Sequence, residues 1–311
     1  MIKRKLEGRV VTDGLKFPEG PIAMGNGSVL VVEIEAGRLT CVAPDGSKSV
    51  AATLGGGPNG AAIGPDGKVY VCQNGGFNWI YHDDGFVRPH GRADSYDKGG
   101  IQRVDLVTGD VEWLYTHCDG NPIMGPNDIV FNKDGNFWFT DHGKSYDRLM
   151  DRGALFFAHA DGSFITEAAF PLITPNGIGL SPDEATLYAT ETETGRLWSW
   201  PISAQGTVEK IVWPSPAGGK FLAGPQGYQR FDSLAVEECG NICVASLVYG
   251  GISVFSPMGE LLEFWEAPEP YCTNIAFGGP DMRTAFITLS GYGQLLEVAW
   301  PRPGLRLIHQ R

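Results

Sequence analysis

Polar and apolar positions along the chain form a recurring unit: one polar residue, an apolar run, a tight turn, then a second apolar or aromatic run. Six copies occur: EGPIAMGNGSVLVV from Glu19, NGAAIGPDGKVYV from Asn59, NDIVFNKDGNFWFT from Asn127, NGIGLSPDEATLYAT from Asn176, DSLAVEECGNICVAS from Asp232 and NIAFGGPDMRTAFIT from Asn274. A turn residue lies seven positions after each leading one, at Asn26, Asp66, Asp134, Asp183, Cys239 and Asp281. In four copies glycine follows it directly, at Gly27, Gly67, Gly135 and Gly240. Asn-Gly and Asp-Gly between apolar runs are hairpin signals, because both residues accept positive φ. Each copy therefore reads as two antiparallel strands. Segments 37–46, 100–109, 153–162 and 250–259 supply further strands.

Successive leading residues are 40, 68, 49, 56 and 42 positions apart, room for one four-stranded sheet per copy with loops of varied length. Six such sheets arranged radially predict an all-β protein, a six-bladed β-propeller of antiparallel blades. A parallel β-helix would repeat at roughly two or three dozen residues without long insertions, and a β-sandwich gives no reason for a sixfold phase. No composition shift marks a boundary, so residues 1–311 are expected to form one domain. The segment 8–13 is expected to pair with the last blade and close the ring. The longest insertion, 74–99, is expected to sit over one end as a lid.

With 24 Lys and Arg against 36 Asp and Glu, the net charge is −12, which argues against broad attraction to nucleic acid or an anionic membrane. No apolar run reaches the roughly 18 residues of a membrane-spanning helix. The basic start is not followed by the apolar core of a secretory signal. Six scattered cysteines without a C-x-x-C pair read as reduced thiols, and a cytoplasmic location is expected. There is no Walker A loop, H-E-x-x-H or G-x-S-x-G motif, and the glycines of 55–60 lead into a strand rather than a helix, against a dinucleotide site.

In a propeller the first strand of each blade lines the axis, so the six leading residues should surround one end of it. They comprise two carboxylates and four carboxamides, with no Lys or Arg among them. Unpaired buried carboxylates are costly. A divalent cation would neutralise the pair, and an all-oxygen donor set favours Ca²⁺, or Mg²⁺ or Mn²⁺, over Zn²⁺. Taken singly, Asn59 and Asn176 are also ordinary turn residues ahead of glycine; the sixfold phase is what makes a site. The hairpin geometry brings the end of each second strand to the same face, including Gln73 and the Asp141–His142 pair. His142 would either shuttle a proton or bond substrate, or simply orient Asp141. Phe77 and Trp79 on the insertion suit an apolar or cyclic substrate, or pack onto the ring; both can hold.

FPEGP (17–21), GPNDIVFNKDGNFWFTD (125–141), TPNGIGLSPD (174–183) and FDSLAV (231–236) resemble the senescence-marker-protein / gluconolactonase / luciferin-regenerating-enzyme family, over about residues 12–300. The resemblance implies a propeller with a central divalent metal, Ca²⁺ above Zn²⁺, Mg²⁺, Mn²⁺ or Fe²⁺, and a hydrolase that opens a small-molecule lactone. By it the metal ligands are Glu19, Asn127, Asn176 and Asp232, with Asn59 and Asn274 left to substrate, water or a second ion. Asp232 is the candidate general base or nucleophile, and His142 the candidate proton donor to the departing alkoxide. Gln73, Phe77, Trp79 and Asp141 are candidate substrate contacts. Sugar-lactone members of the animal type carry an Arg at the position of Gly125. Its absence predicts no cationic arm and a lactone less polar than an aldonolactone. The competing functions are an aryl-ester or phosphotriester hydrolase on the same metal, and a non-enzymatic metal-binding scaffold.

Overall fold

A computed structural model describes residues 1–225 and 227–309; Gln226, and Gln310 and Arg311 at the end of the expected domain, lie outside the described residues. The described residues contain no helix. Six antiparallel sheets follow one another along the chain, each opening with the strand that carries a leading residue: Pro18–Ala23, Pro58–Ile63, Pro126–Phe131, Pro175–Leu180, Arg230–Val236 and Cys272–Gly278. These inner strands contact one another in order around the axis, and the sixth returns to the first. The chain is a six-bladed β-propeller, as the repeat predicts.

The ring closes where expected. Arg9–Thr12 pairs antiparallel with Gln294–Ala299 as the outer strand of the sixth blade. The sequence pattern gave no sign of a second clasp: Ile2–Lys5 adds to the fifth blade, parallel to Leu261–Glu266, with all four residues exposed. A strand with no buried face carries no alternation to read.

The core lies between the blades. Val130, Trp138, Leu155 and Phe157 of the third blade pack against Leu187 and Trp200 of the fourth, and comparable layers fill the other five interfaces. At the axis the inner strands approach too closely for side chains at some positions. A Cβ on Gly20 would stand 2.7 Å from the Asn59 carbonyl oxygen, and one on Gly177 2.5 Å from the Leu234 nitrogen. The glycines after Glu19 and Asn176 therefore serve close strand approach rather than turns.

Four blades share one more device. The last side chain of the second strand accepts hydrogen bonds from the backbone that enters the inner strand. Glu33 takes Lys16 N (2.7 Å), Gln73 takes Gly57 N, Asp141 takes Gly125 N (2.6 Å) and Met124 N (2.8 Å), and Glu191 takes Ile173 N (2.7 Å). Burial alone would raise the Glu33 pKa. Hydrogen bonds from Arg38 and Thr40, and the Arg38 charge, bring it below the ordinary 4.5. A depressed carboxylate stabilises the fold above its unfolded pKa and stops doing so as pH falls through the folded one. Denaturant melts should therefore find Glu33→Gln less stable than wild type at pH 7, with the gap closing below about pH 4.5. Val11→Ala, in the closing strand, should cost about 1–3 kcal/mol, whereas Ile2→Ala should stay within about 0.5.

Candidate active site

Each of the first five inner strands breaks register with its partner at the leading residue, between Glu19 and Ile22, Pro58 and Ala61, Pro126 and Ile129, Pro175 and Ile178, and Phe231 and Leu234. A bulge there re-aims the side chain out of the blade. Glu19, Asn59, Asn127, Asn176 and Asp232 accordingly line one cavity of about 290 Å³ at one end of the axis.

The sixth strand differs. Its register shift falls earlier, between Cys272 and Asn274, so Asn274 sits on the regular ladder opposite Thr288. Asn274 does not line this cavity; its Nδ2 donates to Glu19 Oε2 at 2.8 Å. It instead borders a larger cavity of about 510 Å³ toward the opposite end of the axis. The other expected substrate contacts divide as well. Phe77 and His142 line the site cavity, whereas Gln73, Trp79 and Asp141 lie outside its lining. Register pairs Gln73 and Asp141 with the prolines that precede the leading residues, and their side chains are taken up by loop amides. Trp79 packs against Phe17, which does line the cavity, with ring centroids 5.0 Å apart and the planes tilted by 53°.

The insertion 74–99 contains a hairpin, Phe77–Tyr81 with Val87–Arg92, and it spans the mouth. Val87 N donates to Gly291 O (2.9 Å), the Tyr81 hydroxyl to Glu35 (2.8 Å) and Arg92 N to Ser145 O (3.2 Å). The hairpin is thus fastened to the sixth, first and third blades at once. Behind it the buried Lys144 donates to Gly76 O (3.0 Å) and Asn74 Oδ1 (3.2 Å), with its ammonium 4.3 Å from the Phe77 ring centroid. Burial lowers its pKa to about 7 despite the Asp141 charge.

At the hub, burial raises the Glu19 pKa to about 7 against hydrogen bonds from Asn274, Gly20 and Thr273. Burial, and then the Glu19 charge, raises Asp232. A third acid, Asp128, is pushed to about 7 by burial, with Glu19 adding to it; it faces the opposite cavity. Asp128 was readable only as the residue after Asn127. Burial, with Lys144 and Arg230 nearby, holds the His142 imidazole down to about 4, so it is neutral at pH 7. Two threonines fix the strands behind the donors. Thr140 Oγ1 donates to Asn176 O (2.6 Å) and receives Asp128 N (3.0 Å); Thr190 Oγ1 donates to Asp232 O (2.7 Å) and receives Gly177 N (2.8 Å).

Among the described residues no three His, Cys, Asp or Glu side chains cluster as metal ligands, so any ion here depends on the carboxamides. The donors fit that role. Asn127 Oδ1 is buried and has no hydrogen-bond partner, next to acids that burial drives toward neutrality. A hard cation takes such oxygens and would favour both charged carboxylates.

Gly125 has no room for an arginine: a Cβ there would meet Gly143 O at 2.5 Å. The cavity nevertheless carries two cations from elsewhere, Arg88 on the hairpin and Arg230 ahead of Asp232. The expectation of a wall without cationic groups is corrected by these two, which lie outside the six repeat units.

A propeller with a bulged ring of oxygen donors at its axis defines the class. Residues 17–291 match the SMP-30/Gluconolactonase/LRE-like region, and the chain belongs to that family. It is 26% identical over 307 residues to a gluconolactonase of Zymomonas mobilis, covering 90% of this chain and 78% of that one. It is 28% identical over 209 residues to the lactonase drp35 of Staphylococcus saprophyticus, covering 66% and 56%. The fold is shared with the calcium-binding protein regucalcin of Agrobacterium tumefaciens, at a TM-score of 0.74 and 21% identity over 99% of this chain and 100% of that one.

Thr190→Val keeps the volume but leaves Gly177 N and Asp232 O without their shared partner. It should cost about 1–3 kcal/mol in chemical denaturation.

Proposed function

We propose that this protein is a metal-dependent hydrolase that opens a lactone ring, with Ca²⁺ as the ion. The observation that carries the reading is the unpartnered, buried Asn127 Oδ1 at a hub that also holds the buried acids Glu19 and Asp232. The named activities of the gluconolactonase and lactonase relatives supply the reaction class.

Glu19, Asn127, Asn176 and Asp232 would hold the ion. Bound there, a divalent cation supplies Lewis-acid polarisation of a carbonyl oxygen. Asp232 accepts a proton from the attacking water as the new C–O bond forms at the carbonyl carbon, and returns it to the ring oxygen as the ester C–O bond breaks. The neutral His142 orients the substrate or water by hydrogen bonding; it holds no spare proton at pH 7 to give to the alkoxide. Phe17, Ile34, Phe77, Pro89, Leu247 and Tyr271 exclude water from the ring's far side and favour a lactone with fewer hydroxyls than an aldonolactone.

The test is to strip the protein with chelator, add back single divalent ions, and follow proton release from lactones, aryl esters and phosphotriesters. Ion-dependent acid release from a lactone is expected, with Ca²⁺ the best ion. Turnover of aryl esters or phosphotriesters alone would replace the reading with another hydrolase, and no turnover with stoichiometric ion bound would leave a binding scaffold. Asp232→Asn should keep the fold by circular dichroism and lower kcat at least about 100-fold. Full activity with ion bound would remove Asp232 from the proton path.

A further inference from the structure

The cavity wall contains more positive charge than its own acids use. With Glu19 and Asp232 given to a divalent cation, as the lactonase reading on which this inference rests requires, one acid remains in the lining, Glu193. Glu193 is taken by Arg230, whose Nη2 donates to it at 2.9 Å. Arg230 Nε is buried and has no hydrogen-bond partner. Arg88 is half-buried, and its guanidinium makes no hydrogen bond or ion pair among the described residues. Arg88 and Arg230 line the same cavity together with Tyr271.

Arg88 is not free to drift from this wall. Its hairpin neighbour Val87 is tied to Gly291, and Phe86 packs its ring 5.2 Å from Tyr271 and 5.3 Å from Tyr292. An unpaired guanidinium held at the wall of a partly open, partly apolar cavity is a receptor for an anion, because the charge-assisted bond it lacks is stronger there than in bulk water. Its planar fork suits a carboxylate.

We propose that the substrate is a lactone bearing its own carboxylate, and that Arg88, on the same cavity wall as Arg230, recognises that group. The ring would then lie against the apolar wall with its carbonyl toward the axis and its anionic substituent toward the hairpin. Arg88 is a specificity-determining residue here and takes no part in the proton transfers.

The test compares 5-oxotetrahydrofuran-2-carboxylate with its carboxamide on the Ca²⁺-loaded enzyme, wild type, Arg88→Gln and Arg88→Lys. The intrinsic reactivities of the two lactones cancel when variant and wild type are compared. Arg88→Gln should lower the carboxylate-to-carboxamide ratio of kcat/KM about 10–100-fold, and Arg88→Lys should restore part of it. Calorimetry with the non-hydrolysable 3-oxocyclopentanecarboxylate should show a matching loss of affinity in Arg88→Gln. If no lactone is hydrolysed while this analogue binds through Arg88, the lactonase reading fails and the anion site stands. If Arg88→Gln lowers both lactones equally and leaves the analogue's affinity alone, Arg88 serves only the carboxylate released on ring opening, and the inference is overturned.

Discussion

The buried acids at the axis are the constraint on which the rest of this molecule turns. Glu19 and Asp232 enter from the first and fifth blades, Asp128 lies on the far side of them, and none of the six leading positions carries a basic residue. Like charges in a desolvated hub repel, so the protein alone holds these acids near neutrality. Strands that must converge there need glycine at Gly20 and Gly177, a bulge to turn each donor toward the axis, and hydroxyls at Thr140 and Thr190 to satisfy the exposed backbone. A ligand that favours the charged forms relieves the hub, and binding it adds to the stability of the whole ring.

Much of this was legible in the chain because propeller repeats are short and in phase. The turn residues seven positions after each leading one set the inner and second strands of every blade, and the apolar runs set their burial. Five of the six leading residues reach the cavity for that reason. Asn274 does not, because its phase was read from the turn, whereas orientation at the hub depends on where the bulge falls. A one-residue difference in bulge position leaves no trace in a hydropathy pattern.

Gln73 and Asp141 stand at the correct end of their strands but turn into the blade, where unpaired loop amides claim their oxygens. Backbone donors of this kind are invisible until the loop's path is known. Arg88 and Arg230 escaped notice for a related reason. They lie outside the repeat, and their meeting at one cavity depends on a hairpin that crosses from the second blade to the sixth. Gly125 leaves no room for an arginine, and positive charge reaches the wall from the hairpin and the start of the fifth inner strand instead.

The strand that closes the ring has a consequence for how the molecule is made. Arg9 meets Glu297, 288 positions further along the chain, and Ile2 meets Glu263 in the neighbouring blade. During synthesis both N-terminal segments precede every strand they will pair with. Until the last two blades exist they have only unpaired edges to offer, and loop closure over such a span is the slow part of β-rich folding. Ile2–Lys5 is nonetheless IKRK, three charges in four residues. A waiting strand so charged resists joining the edge of another chain. Four residues with no buried face in the finished fold thus protect the nascent one while it is still open.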